Sequence, residues 1–184
     1  MNRRQFLKLP LAAAALTLDA RAAGDERQAG AFKVGSGEDR YREELLIMGG
    51  SFDCKVSGGD TGGDLCIYDT VRRAKGGPAL HRHFHQDEWF YVMRGEFIVE
   101  VGGTRLGLKP GDSAFAPRRI PHAFAMVGEG DGQLLIVFQP AGSIEDFFKQ
   151  MARFGAEIPK NQEVLMKQLF EEHGMEILGP ALKF

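Results

Sequence analysis

The sequence predicts an all-β fold, a small antiparallel barrel or sandwich of strands, with two helices at its C-terminal end. From about residue 45 to 139, short apolar runs are separated by Gly, Pro and Asp, a spacing typical of strands joined by tight turns. Phe97, Val99 and Val101 recur with a period of two, which indicates a strand with one buried face. After Pro140 the apolar period changes to three and four, which indicates helices.

Length and composition are those of one globular domain. The chain has 184 residues, of which 43% are hydrophobic and 26% are charged. The formal net charge of -2 gives no surplus of basic residues, which argues against nucleic acid as a partner. No apolar run reaches the roughly 18 residues that a membrane-spanning helix needs.

The first 22 residues have the pattern of an export signal. Arg3 and Arg4 precede a short apolar run over residues 9–18, and Ala20 and Ala22 form a small-x-small cleavage site. The Arg-Arg-x-Phe-Leu-Lys string resembles the bacterial twin-arginine signal. The resemblance implies export of a folded protein to the periplasm, without stable membrane insertion afterwards. The alternative is an amphipathic N-terminal helix or a chance pair of arginines.

The rest of the chain divides into three predicted segments. Residues 23–44 lack periodicity and are predicted to be a tail or linker. Residues 45–140 are the predicted barrel, with turns at Gly102-Gly103 and Pro110-Gly111. Residues 141–184 are a predicted helical extension that packs against the barrel or a partner subunit.

Two helices are predicted in this extension. The first begins after Ser143 as its N-cap and has one apolar face, formed by Ile144, Phe147, Phe148, Met151 and Phe154. The second runs from about Gln162 to His173, with Asn161 as its cap and Gly174 at its end.

The two cysteines flank a glycine-rich turn. Cys54 and Cys66 face each other if the hairpin closes symmetrically around Asp60. A disulfide between them is one interpretation. Two buried thiols that pack as small hydrophobic side chains are the interpretation that we favour.

Three histidines and a glutamate have the spacing of metal ligands. His81 and His83 share one face of a predicted strand, and a turn after them returns Glu88 to the same place. His122 begins a later strand. Imidazoles and a carboxylate suit Fe, Mn, Ni, Co, Cu or Zn rather than calcium.

These residues fit two motifs of a known family. His-x-His-x4-Glu-x6-Gly, ending at Gly95, resembles the first cupin motif, and Gly111-x5-Pro117-x4-His122 resembles the second. The ending Ile177-Leu-Gly-Pro180 also resembles the tail of quercetin-dioxygenase-like single cupins. The resemblance implies a small jelly-roll barrel that binds one divalent metal ion (Fe, Mn, Ni, Cu or Zn). The implied ligands are His81, His83, Glu88 and His122.

The chain departs from the second motif at two positions. Arg119 stands where the family usually has glycine, and Met126 stands where it often has asparagine. If position 119 has a positive φ, arginine there costs about 1 kcal/mol. At position 126, packing replaces a polar contact inside the barrel.

Strand parity predicts an apolar, aromatic pocket beside the metal. The substrate-binding candidates that face inward are Phe90, Phe97, Phe124 and Met126, and barrel core is the alternative role for them. His85 is expected at the rim, where it would hydrogen-bond a substrate, with a fifth ligand role as the alternative. Glu88 is the catalytic candidate, as a ligand that can also act as general base. No extra arginine is evident on these strands, which argues against a highly charged substrate such as oxalate.

The predicted function is a metal-dependent dioxygenase, similar to quercetinases, that acts on an aromatic or enolisable small molecule. A non-catalytic cupin that binds a small molecule is one alternative, and a non-redox isomerase or decarboxylase is another. By analogy with single cupins, the chain is expected to form a homodimer.

Overall fold

The computed structural model describes residues 27–28, 30–154 and 162–184. The predicted export signal and the predicted cap Asn161 therefore lie outside the described residues. No helix in the described ranges is long and apolar enough to cross a membrane.

Eleven strands and two helices make up the described fold. The strands are β1 (Leu46–Ile47), β2 (Gly50–Val56), β3 (Cys66–Arg72), β4 (Ala79–His83), β5 (Asp87–Arg94), β6 (Phe97–Val101), β7 (Thr104–Leu108), β8 (Ser113–Ala116), β9 (His122–Met126), β10 (Gly132–Gln139) and β11 (Met175–Ala181). The helices are α1 (Ile144–Ala152) and α2 (Glu163–Glu172).

The strands form two antiparallel sheets that enclose the core. One has six strands in the order β1-β2-β3-β10-β5-β8, and the other has five in the order β11-β4-β9-β6-β7. Phe90, Phe97, Phe124 and Met126 are buried between the sheets, as their parity predicted. The predicted all-β jelly-roll barrel with two C-terminal helices is confirmed.

Both predicted turns form as expected. Gly102 and Gly103 have φ of 57° and 83° between the paired residues Val101 and Thr104, which matches a two-residue hairpin. Gly111 has φ of 94°, and the Asp112 amide donates to the Lys109 carbonyl at 2.9 Å. Positive φ at these positions is accessible to glycine without a steric penalty.

The two helices pack over one end of the barrel rather than extending into solvent. Four of the five residues predicted for the apolar face of α1 are buried, namely Ile144, Phe147, Phe148 and Met151. The ring centroid of Phe148 lies 4.9 Å from that of Phe52 on β2 and 4.8 Å from that of Tyr68 on β3. Ser143 is at the predicted N-cap, but its hydroxyl bonds to His173 Nδ1 at 2.9 Å instead of capping the helix.

The prediction of an all-helical extension over residues 141–184 is wrong at its end. Residues 175–181 form β11, which pairs with β4 and covers the edge that β4 would otherwise expose. Part of the predicted tail also packs on the barrel. The carboxylate of Asp39 is buried and accepts a hydrogen bond from the Cys54 amide at 2.7 Å.

Cys54 and Cys66 are free, buried thiols, as we favoured. Cys54 pairs with Tyr68 and Cys66 pairs with Phe138, so the two are not cross-strand partners. A short 3₁₀ turn at Gly59–Thr61 and a bulge after Cys54 shift the register by two residues from the symmetric hairpin. Burial raises the pKa of the Cys54 thiol to about 12, which keeps it protonated.

We expect the substitution Arg119→Gly to stabilise the protein. Arg119 has φ of 69°, the left-handed region that costs a side chain about 1 kcal/mol, and its only described side-chain bond is a long one to the Phe84 carbonyl. Arg119→Gly should therefore raise the free energy of unfolding by about 1 kcal/mol in urea titrations. Arg119→Ala, which loses the same bond but keeps the strain, is the control. Equal stability of the two variants would contradict the prediction.

Candidate metal centre

Three imidazoles project from the five-stranded sheet toward one point. His81 and His83 are two residues apart on β4 and therefore share its inner face. His122 on β9 pairs directly with His81, and their ring centroids lie 4.7 Å apart. The His83 ring centroid is 5.2 Å from that of His81. Strand register therefore sets the positions of all three rings.

The fourth side chain comes from the opposite sheet. Residues 84–86 form the turn from β4 to β5, and Glu88 is the first residue on β5 that is buried between the sheets. Its Oε2 lies 2.8 Å from His122 Nε2 and 3.4 Å from His83 Nε2. All four side chains are buried, and one ligand atom of each lies within 4.8 Å of the others. The predicted ligand set is thus assembled.

Backbone carbonyls fix the tautomer of two of the histidines. His81 Nδ1 lies 2.8 Å from the Ala79 carbonyl, and His122 Nδ1 lies 2.9 Å from the Ile120 carbonyl. Because a carbonyl oxygen only accepts hydrogen bonds, each Nδ1 carries the proton. In the neutral rings the Nε2 lone pairs then face the cluster, which is the arrangement of metal-ligating histidines.

Gln86 orients the third histidine, a role that the sequence analysis missed. His83 Nδ1 lies 3.2 Å from Gln86 Oε1, while Gln86 Nε2 donates to the Ala141 carbonyl at 2.7 Å. A side chain at Gly142 would place its Cβ 2.7 Å from Gln86 Nε2, so only glycine leaves room for this amide. Gln86 lies in a turn, where no periodic pattern marks it as buried.

The electrostatics of the cluster favour a neutral His81 and a charged Glu88. Burial lowers the pKa of His81 to about 3, helped by the other two histidines, so its ring is neutral. Burial raises the pKa of Glu88, but its contacts with His122 and His83 outweigh burial and hold the pKa well below its usual value. Burial lowers the pKa of His122, and the contact with Glu88 more than reverses this.

The donor set fits a divalent metal ion. A buried carboxylate that faces imidazole lone pairs needs a cation between them, and a metal ion would replace the proton that His122 and Glu88 share. Ligand atoms bound to one transition metal at about 2.0–2.2 Å lie at most about 4.4 Å apart. In the structure the four ligand atoms lie within 4.8 Å of one another. To bind one ion, they would have to move closer together by only a few tenths of an ångström.

A cavity of about 100 Å³ borders the cluster beneath the two helices. Its walls are almost entirely apolar. They come from β2, β9, β10, α1 and α2, and include Phe52, Phe124, Ile136, Phe138, Phe147, Phe148, Met166 and Phe170. Phe170 of α2 places its ring centroid 5.7 Å from that of His81. The helices therefore close the space next to the candidate ligands.

Of the predicted substrate contacts, only Phe124 lines this cavity. Phe90, Phe97 and Met126 are buried deeper and form barrel core, which was the alternative role. They do not line this cavity, because its second wall is built by β2, β10 and the helices. His85 is exposed and lies outside both the ligand cluster and the cavity lining, since the turn directs it outward.

One charged residue in the cavity wall was also missed. Arg72, on β3, is buried and lines the cavity together with His81 and Glu88. The sequence analysis found no extra arginine on the strands that carry the motifs, and it did not examine β3. Arg72 continues the inward row of Tyr68 and Thr70 on that strand.

We expect Gln86→Leu to weaken metal binding without unfolding the barrel. The substitution removes the acceptor that orients His83, and loss of such an outer contact costs about 10- to 100-fold in metal affinity. Competition with a chelator measures this affinity. Gln139→Leu, on an exposed glutamine of β10, is the control and should bind metal like the wild type. Unchanged affinity in Gln86→Leu would contradict the assigned role.

Comparison with solved structures supports the jelly-roll fold. An RmlC-like cupin from Shewanella frigidimarina NCIMB 400 is 28% identical, and the match covers 66% of this chain and 98% of that one with a TM-score of 0.52. KdgF from a Halomonas species is 24% identical, covering 60% and 94% of the two chains with a TM-score of 0.52. A predicted oxalate decarboxylase from Thermotoga maritima is 21% identical, covering 59% and 99% with a TM-score of 0.53.

Sequence comparisons point to the same family. An uncharacterized protein of Methanocaldococcus jannaschii is 27% identical over 67 residues, which are 36% of this chain and 54% of that protein. The match thus spans about half the length of this relative. The family model described as a cupin domain matches residues 70–138, a range that contains all four candidate ligands. Residues 70–138, which carry the His/His/Glu/His cluster, are thus similar to a cupin domain.

Proposed function

We propose that this protein is a metal-dependent dioxygenase that acts on a small aromatic or enolisable molecule. The observation that carries the proposal is the cluster itself. Three imidazole Nε2 atoms and the Glu88 carboxylate converge at the edge of an apolar cavity. Four protein ligands leave one or two positions open on a five- or six-coordinate ion, where substrate or dioxygen can bind.

Charge selects the kind of substrate atom that binds at this point. A divalent ion held by three neutral imidazoles and one carboxylate leaves one net positive charge in a buried site. An anionic oxygen donor, such as an enolate or a phenolate, neutralises that charge. When bound, the metal supplies Lewis-acid polarisation of this oxygen and, if redox-active, a site for dioxygen.

The chain's own residues position the substrate and exclude water. Aromatic rings from β2, β9 and both helices surround the cavity, which favours a flat or apolar substrate body. Glu88 Oε2 faces the histidines, while its Oε1 makes no hydrogen bond with a described residue. Because the pKa of Glu88 is low, it acts first as a ligand, and it accepts a substrate proton only when its contact with His122 weakens.

The proposed reaction balances without an external reductant. For an acyclic β-diketone, one dioxygen molecule is consumed for each substrate, a carbon–carbon bond next to the enol is cleaved, and each of the two product fragments receives one oxygen atom. The substrate supplies the electrons that reduce dioxygen.

We expect protein loaded with Fe, Mn, Ni or Cu to consume oxygen with β-diketones or flavonols. An oxygen electrode should record one dioxygen per substrate, and with an acyclic β-diketone ¹⁸O₂ should label both product fragments. His81→Ala should abolish uptake, whereas His85→Ala, which removes an exposed histidine outside the cluster, should retain it. Absence of uptake with every metal and substrate would contradict the proposal.

The same experiment separates the dioxygenase from the alternatives. A protein isolated with zinc that binds an enolisable anion and consumes no oxygen would be an isomerase, a decarboxylase or a binding protein. Product analysis of the anaerobic mixture distinguishes these, since a binding protein returns its ligand unchanged.

A further inference from the structure

Arg72 occupies space that the neighbouring Gly50 leaves free. It lies at the end of β3, where it pairs with Gly50 on β2 and with Gly132 on β10. A Cβ at position 50 would lie 3.0 Å from both Cδ and Nη1 of Arg72. Only 4% of Arg72 is exposed, and it lines the same cavity as His81, His83 and Glu88.

The guanidinium has few partners for a buried cation. Nη1 donates a long hydrogen bond of 3.4 Å to the Ile47 carbonyl, and Nε is buried without a partner. Among the described residues no carboxylate forms an ion pair with Arg72. Burial lowers the pKa of Arg72, yet a guanidinium stays protonated in proteins. The chain therefore holds an uncompensated positive charge in an apolar wall.

A second unpaired polar group lies beside it. Thr70 precedes Arg72 by two residues on the same face of β3, is fully buried, and its hydroxyl has no hydrogen-bond partner. Buried polar groups are normally paired, because leaving one unpaired costs free energy. Of the two groups, Arg72 lines the cavity and Thr70 does not, so Arg72 is the group that a polar ligand in the cavity can reach.

We propose that Arg72 binds a carboxylate of the substrate while the opposite end of the substrate reaches the metal cluster. This inference rests on the proposed function and narrows it. The substrate is then a carboxylic acid with an apolar body and an enolisable carbonyl or phenol at its other end.

The charges of the cavity favour this substrate over a neutral one. A divalent ion with Glu88 has one positive charge, and Arg72 adds a second. A carboxylate and an enolate on one molecule neutralise both charges. The Nε and Nη2 atoms make no described hydrogen bond, so the guanidinium retains donors that a carboxylate can accept from.

The test compares two ligands that differ in one group. In 4,6-dioxoheptanoate a carboxylate stands where heptane-2,4-dione has a methyl group, and both contain the same β-diketone. Calorimetry on zinc-loaded protein under nitrogen measures binding without turnover. We expect the wild type to bind the acid at least about tenfold more tightly than the dione.

Three variants assign this preference to Arg72. Arg72→Met should bind both ligands equally. Arg72→Lys should keep part of the preference for the acid, because lysine retains the positive charge but lacks the planar guanidinium that binds both carboxylate oxygens. Arg73→Met, on the exposed neighbouring arginine, should behave like the wild type. Arg72→Met should also keep its metal and its unfolding midpoint, since it removes an unpaired buried charge.

Each remaining outcome overturns the inference. These outcomes are no binding of the acid, equal binding of both ligands by the wild type, or a preference that survives in Arg72→Met. A lower unfolding midpoint in both Arg72 variants would assign the residue a structural role instead. None of these results bears on oxygen uptake with neutral β-diketones or flavonols, so failure here and failure of the proposed function remain distinguishable.

Discussion

The site depends on one short crossing between the two sheets. The turn over residues 84–86 takes the chain from β4, which carries His81 and His83, to β5, which carries Glu88. Without this crossing, the carboxylate and the imidazoles would lie in separate layers. A buried carboxylate is stable only when it is paired. The contacts of Glu88 with His122 and His83 therefore stabilise the fold, and the same contacts form the candidate metal site. Gln86, within the turn, links the crossing to the segment before α1.

The C-terminal helices form part of the wall of the cavity next to the cluster. Phe148 of α1 packs on β2 and β3, and Phe170 of α2 packs near His81, so the space next to the cluster is enclosed by rings. An apolar enclosure strengthens every electrostatic interaction inside it. The few charged groups in that enclosure therefore dominate recognition. Glu88 and the metal it can bind select one end of a ligand, and Arg72 selects the other.

The ligand set was predictable because its spacing follows strand geometry. His81, His83 and His122 obey strand parity, and Glu88 follows a turn of the expected length. The cavity wall was not predictable in the same way. Phe90 and Phe97 have the parity of wall residues, but whether an inward residue meets a cavity or core depends on the sheet and helices opposite. β11 was not predicted either. It pairs with β4, which is more than ninety residues away in the sequence, and such distant pairing produces no local pattern in the sequence. The export signal and the homodimer remain predictions.

Bound metal tests the central claim most directly. The full-length protein, produced in a bacterium with twin-arginine export, can be compared by metal mass spectrometry with the double variant His81→Ala, His122→Ala. The account predicts close to one divalent transition-metal ion per wild-type chain and none in the folded double variant. A wild-type protein that carries no metal and takes up none on reconstitution would contradict it, because the four converging side chains would then be a hydrogen-bonded core.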